Sequence, residues 1–159
     1  MADFYLTFRF VHLVAAVLFL GNIVVSAMWK LRADRSGNPA IAAFATRLVA
    51  RTDKLFTGPG AFVVLMTGGM LPTAAGYKFA GRGWIHVGAT AFVVSALIWI
   101  FVLIPIQRKQ RKMADEFGEA TEIPADYLAL TKRWAMFSGI ATLLLFIALA
   151  MMVYRPFVG

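Results

Sequence analysis

The chain has 159 residues, of which 60% are hydrophobic and only 15% charged, with a formal net charge of +8 and no cysteine. So apolar a composition, with a mean hydropathy of +0.74, excludes an ordinary soluble domain, and the missing thiols exclude a disulfide framework, a thiolate metal site and a cysteine nucleophile. The basic excess sits in short clusters beside apolar runs, which is the pattern of membrane topology and not of nucleic-acid binding.

In chain order, the first apolar run extends from about Phe4 to Trp29. It opens with "MADFYLTF", where Asp3 stands in place of a basic n-region, so a retained span is expected and not a cleaved signal peptide. The connection "KLRADRSGNPAIAAFATRLVARTDK" follows, with Lys30, Arg32, Arg35, Arg47, Arg51 and Lys54. Within it Asn38 suits a helix cap and Pro39 the first helical position, while Ile41, Phe44 and Leu48 recur at helical spacing. An amphipathic interfacial helix is expected there, resting on the bilayer through its apolar face. Asp53 stands beside Lys54, which suggests an ion pair or a helix-terminus role.

The second run, about Leu55 to Tyr77, carries Gly58, Gly60, Gly68 and Gly69 with Pro59 and Pro72. Small residues let backbones or a flat ligand come close, and Pro72 should kink the helix. A short connection with Lys78 and Arg82 leads to the third run, about Trp84 to Ile106. The basic stretch "RKQRK" and the acidic turn "DEFGEATE" then precede the fourth, about Trp134 to Tyr154. Each run is long enough to cross about 30 Å of hydrocarbon. The basic residues place both long connections in the cytoplasm and both termini outside. The expected fold is all-α: a single four-helix transmembrane bundle in a bacterial inner membrane, with Trp29, Trp84, Trp134 and Tyr154 as interface anchors.

Two of these runs carry costly residues. "RFVHLVAAVLFLGN" sets Arg9 three residues before His12, and "GRGWIHVG" sets Arg82 four before His86; these are the only two histidines. A charge at a bilayer centre costs roughly 3 kcal/mol even on mild scales, so a compensating partner is expected. Residues three or four apart share a helix face. A haem would satisfy all four: neutral imidazoles ligate its iron, and arginines pair with its propionates. Without a Cys-x-x-Cys-His motif it would be haem b. The bland alternative leaves both histidines as packing or interfacial residues. Gly21 and Asn22 lie deeper along the first helix and suggest a small polar pocket below.

The stretches "FVHLVAAVLFLGN", "RTDKLFTGPGAFVVLMTGG", "IPIQRKQRKM" and "ADYLALTKRWAMFSGIATLLLF" resemble a bacterial integral membrane family of unknown function, domain-of-unknown-function family 2269, over nearly the whole chain. More distantly, His12, the Thr67-Gly68 pair and "GWIH" resemble the four-helix haem-dependent protoporphyrinogen oxidases and the copper-resistance membrane proteins near them. That likeness implies a haem b on His12 and matches His86 to the histidine of a Trp-x-His-x-Lys stretch. The lysine of that stretch is replaced here by Gly88.

Three readings stay open. The chain is a haem-binding protein moving electrons to a redox partner or quinone near the outer face, an oxidoreductase acting on a porphyrinogen-like substrate, or a cofactor-free scaffold subunit. The small-residue face of the second span leaves a homodimer open. The lipid bilayer is the common partner.

Overall fold

The computed structural model describes residues 2–76, 82–117 and 120–156, and these are helical with short turns. Tyr77, expected at the end of span two, Lys78 of the short connection after it, and Gly118 and Glu119 of the acidic turn lie outside the described residues. Six helices appear: α1 (Ala2–Arg35), α2 (Pro39–Thr52), α3 (Gly58–Ala74), α4 (Gly83–Ile98), α5 (Ile104–Asp115) and α6 (Ala125–Tyr154). They combine into four continuous rods, each long and apolar enough to cross a membrane.

α1 stops where the sequence offers a left-handed residue. Gly37 has φ of +72°, a conformation that glycine adopts without a Cβ penalty. Asn38 then caps α2: its side chain accepts from the backbone N–H of Ala40 at 2.9 Å and of Ile41 at 3.3 Å. Pro39 follows at the first helical position, as the spacing indicated.

α2 does not end at the foot of span two. It runs on through a wide turn, Asp53–Thr57, into α3. Ile41 and Phe44 remain on its exposed face, available to lipid, while the opposite face packs on α1 and α5 through buried Ala42, Ala43, Ala45 and Val49.

A second wide turn, Trp99–Leu103, joins α4 to α5. Both turns are π-helical, and each closes with a bond five residues back, from Gly58 N–H to the Asp53 carbonyl and from Ile104 N–H to the Trp99 carbonyl. The cause is legible. Pro59 and Pro105 each stand two residues beyond a turn, where a proline ring would strike the carbonyl four residues earlier in a regular helix. Widening the preceding turn relieves that clash and lets the helix continue.

The rods pack as two principal pairs, α1 with α3 and α4 with α6, and α1 also meets α6. Close approach depends on particular glycines. A Cβ at Gly60 would lie 2.7 Å from Phe19 Cβ, and one at Gly88 would lie 2.9 Å from Met152 Cε. The missing lysine of the Trp-x-His-x-Lys pattern thus falls where α4 is pressed against α6.

The rods of 32, 36, 33 and 30 residues span about 45–54 Å at 1.5 Å per residue, well beyond the hydrocarbon thickness. The excess gathers at one end, where α2, α5 and the ends of α1 and α6 enclose a small core around Ala42, Ala114, Phe117 and Tyr127.

Candidate functional site

α1 presents one inward stripe, Phe8, His12, Ala15, Phe19, Ser26 and Lys30, whose members are buried or half-buried. His12 therefore points into the bundle. Its Nδ1 lies 2.7 Å from Thr67 Oγ1 on α3. Thr67 spends its single proton on the Val63 carbonyl at 2.6 Å, so the hydrogen between the two side chains must belong to the ring. In a neutral imidazole this leaves Nε2 with its lone pair. Gly68 lets the ring lie close to α3: a Cβ there would be 3.4 Å from His12 Cε1.

The other three residues of the expected site are placed differently. Arg9, one turn before His12, is exposed, as a snorkelling cation would be. Arg82 is half-buried at the N-cap of α4. His86 is exposed and shares its stripe with Thr90, Val93 and Leu97, all exposed, whereas Trp84, Gly88, Ala91 and Ser95 form the buried face. The structure thus turns His12 inward and His86 outward; it does not put both imidazoles on the inward faces.

A second locus lies deeper, at the two wide turns. Asp53 opens the first turn and is buried at 9% exposure. Thr57 Oγ1 donates to its Oδ1 at 2.7 Å and Gln107 Nε2 to its Oδ2 at 2.9 Å. Trp99, which opens the second turn, lines the same crevice as the carboxylate. Asn22 Nδ2 lies 3.5 Å from Oδ1 and donates to Thr57 Oγ1 at 2.9 Å. Asn22 thus joins a polar cluster centred on Asp53, whereas Gly21, expected beside it in a small pocket, is exposed with nothing within 4 Å. Among the described residues Asp53 makes no ion pair; Lys54 is exposed.

Beside this carboxylate a small crevice of about 50 Å³ opens between α1, α3, α4 and α6. Its walls are mainly apolar and aromatic, with Phe19, Phe92, Trp99 and Trp134, and a few hydroxyls, Ser26, Ser95 and Ser138. Ser95 and Ser26 are satisfied by the Ala141 and Ile23 carbonyls, as intramembrane hydroxyls generally are.

A third cluster ties the inner ends together. Lys30 Nζ, 1% exposed, donates to Asp34 Oδ2 at 2.8 Å and to Tyr127 OH at 3.0 Å. Tyr127 and Thr131 donate to the two oxygens of Asp34 at 3.0 and 2.9 Å, and Gln110 Nε2 donates to Thr131 Oγ1 at 2.9 Å. One ion pair is shared among α1, α5 and α6, with Thr46 bringing in α2. Lys30 also stands 5.6 Å from the Trp134 ring centroid. Trp134 and Trp84 are therefore interior residues, 3% and 5% exposed, and not the interface anchors expected of them, whereas Tyr154 is 82% exposed. Sequence reading registered Lys30 only as topology and did not single out Asp34, Tyr127 or Gln110, because nothing local distinguishes them from a solvated polar face.

No curated protein and no solved structure matches the chain. The profile of a family described as predicted integral membrane protein (DUF2269) matches residues 6–156, nearly the whole length over which the four rods and both loci are built. The chain belongs to that family.

Proposed function

We propose that this protein is a bacterial inner-membrane redox protein that holds a b-type haem on His12 and moves electrons near the outer membrane face, toward a redox partner or quinone. The Thr67–His12 pair carries the reading. An imidazole whose N–H is tied to the neighbouring helix, and whose other nitrogen keeps a lone pair, is the form that ligates haem iron, and such a partner fixes ring orientation and tautomer. Bound haem supplies reversible one-electron transfer.

The chain's own residues do the rest. Thr67 holds the ring, Gly68 allows it to lie close to α3, and Arg9 offers a charge-assisted partner to a propionate at the bundle end. The inward-facing donors fit a single axial ligand. His86 stands on the outward stripe of α4 and is not among them, while Arg82 at the α4 N-cap is the candidate second propionate partner. Arg32, Arg35 and Arg51 near one end of the rods support a cytoplasmic position for that end, which leaves His12 near the outer face.

The test is an absorbance spectrum of the detergent-purified protein, oxidised and dithionite-reduced, beside His12→Ala and His86→Ala. A Soret band lost in His12→Ala is expected. Loss in His86→Ala as well would give two histidine ligands, and its retention one. A wild-type protein that stays colourless after haem supplementation would overturn the reading.

A further inference from the structure

We propose that the crevice beside Asp53 is a proton-binding site, in which the carboxylate takes up and releases a proton through a few water molecules held between it and Trp134. The inference is independent of the haem reading, because it concerns the inner locus and makes no use of His12.

Size decides first what the crevice can hold. About 50 Å³ is far below what an organic ligand fills, but it gives room for about three water molecules. Water there meets partners of both kinds. Asp53 offers acceptors: a carboxylate has about four lone-pair positions, and the two short bonds, from Thr57 at 2.7 Å and Gln107 at 2.9 Å, take one on each oxygen. Asn22 adds only a long contact at 3.5 Å. Trp134 offers a donor. It lines the same crevice at 3% exposure, and its indole Nε1–H is buried with no hydrogen-bond partner among the described residues. The hydroxyls of Ser138 and Thr142 line the space as well, so a water finds the two to four polar partners it needs.

Charge then decides for the proton. An ionised carboxylate at this depth calls for a compensating charge, and among the described residues Asp53 makes no ion pair. Six helices and both wide turns contribute to the crevice walls, and Asp53 is the only titratable or charged residue they place there. Lys30, which faces Trp134 at 5.6 Å, is committed to Asp34 at 2.8 Å, and Arg51 and Lys54 are exposed. A hard metal cation asks for several oxygen ligands, whereas Thr57, Gln107 and Trp134 bring hydrogens, and no group of three or more potential metal-binding side chains occurs among the described residues. Both forms of the acid are provided for. Thr57 and Gln107 hold the anion by donation, and the open lone pairs receive the proton. On uptake a hydronium ion in the crevice gives its proton to one carboxylate oxygen, forming an O–H bond, and leaves as neutral water; release is the reverse, and no further reactant takes part.

The test is an infrared titration of the detergent-purified full chain from mildly acidic to mildly alkaline pH, in ordinary and in heavy water, with and without isotopically labelled aspartate. A carbonyl stretch of a protonated aspartic acid is expected that comes and goes reversibly with pH, shifts on labelling and in heavy water, and is lost in Asp53→Asn. Gln107→Leu, which removes one donor and leaves the carboxyl group in place, should shift the frequency of that band and serves as the test should Asp53→Asn elute as an aggregate. Ala96→Leu, which narrows the crevice, should keep the band but slow its shift in heavy water. His12→Ala should show the band as the wild type does. Absence of the band, a band unchanged in folded Asp53→Asn or Gln107→Leu, exchange in folded Ala96→Leu as fast as in the wild type, or removal of the band by sodium chloride at constant pH would overturn the proposal.

Discussion

Thr67 acts on His12 through one hydrogen bond at 2.7 Å. Replacing it by valine keeps the volume but removes the acceptor for Nδ1–H, so the ring loses its fixed orientation. Thr67→Val is expected to weaken haem retention about tenfold, in the range found for partners of ligating histidines; haem titration followed at the Soret maximum measures it. Asn22 has a different role, since it donates to Thr57, which in turn donates to Asp53. Asn22→Leu removes one buried bond and should cost about 1 kcal/mol, read as a lower midpoint of thermal unfolding in detergent.

Asn22 and His12 were both visible in the sequence, because a polar residue in an apolar run is conspicuous whatever the fold. Asp53 was not. It stands at the edge of its run, beside Lys54, and only the wide turn before Pro59 carries its carboxylate inward while Lys54 stays exposed.

At the scale of elements, two glycines separate packing from propensity. Gly60 faces Phe19 so closely that an added Cβ would lie at 2.7 Å, while Gly21 has nothing within 4 Å. Gly60→Ala should force α1 and α3 apart and destabilise by about 1–3 kcal/mol. Gly21→Ala should be neutral or stabilise by up to about 1 kcal/mol. Thermal unfolding of the two variants side by side decides whether the α1–α3 seam is set by this contact.

The inner ends of the rods are held by a buried ion pair, and such a pair resists the loss of one member more than of both. Lys30→Met leaves Asp34 charged between Tyr127 and Thr131, and should destabilise by about 3–5 kcal/mol. Adding Asp34→Asn should recover part of that loss, and the double-mutant cycle gives the coupling. The basic cluster containing Lys30 was legible as a cytoplasmic signal. Its burial was not, because the rod had to continue past the expected end at Trp29 for Lys30 and Asp34 to meet Tyr127 of α6.

For the whole molecule, alternation of the rods places Ser36 and Thr73 at opposite ends of the bundle. Both are exposed, and the chain contains no cysteine, so a single introduced thiol reports one position. With the basic end inside, an impermeant maleimide added to intact cells should label Thr73→Cys and spare Ser36→Cys. Labelling in the reverse sense would invert the orientation and move His12 to the cytoplasmic side.

Apolar runs of about 20 residues, each bounded by basic or small polar stretches, determined by themselves that the chain is helical, has four segments long enough to cross a membrane and starts a new helix at Asn38-Pro39. Each of these depends on local chemistry: backbone bonds must close within a segment in hydrocarbon, Asn38 caps, and Pro39 accepts the first helical turn. Which way a side chain faces was decided only by the tertiary structure. Near-uniformly apolar helices carry little phase information, so nothing in α1 or α4 alone distinguishes an inward stripe from a lipid-facing one. The phase is imposed by contacts from other rods: Gly60 under Phe19 turns the His12 stripe inward, and Gly88 against Met152 turns the His86 stripe outward. The two π-turns then bring Asp53 and Trp99 together from positions 46 residues apart in the chain, a meeting that depends on how separate rods pack and that no local pattern encodes.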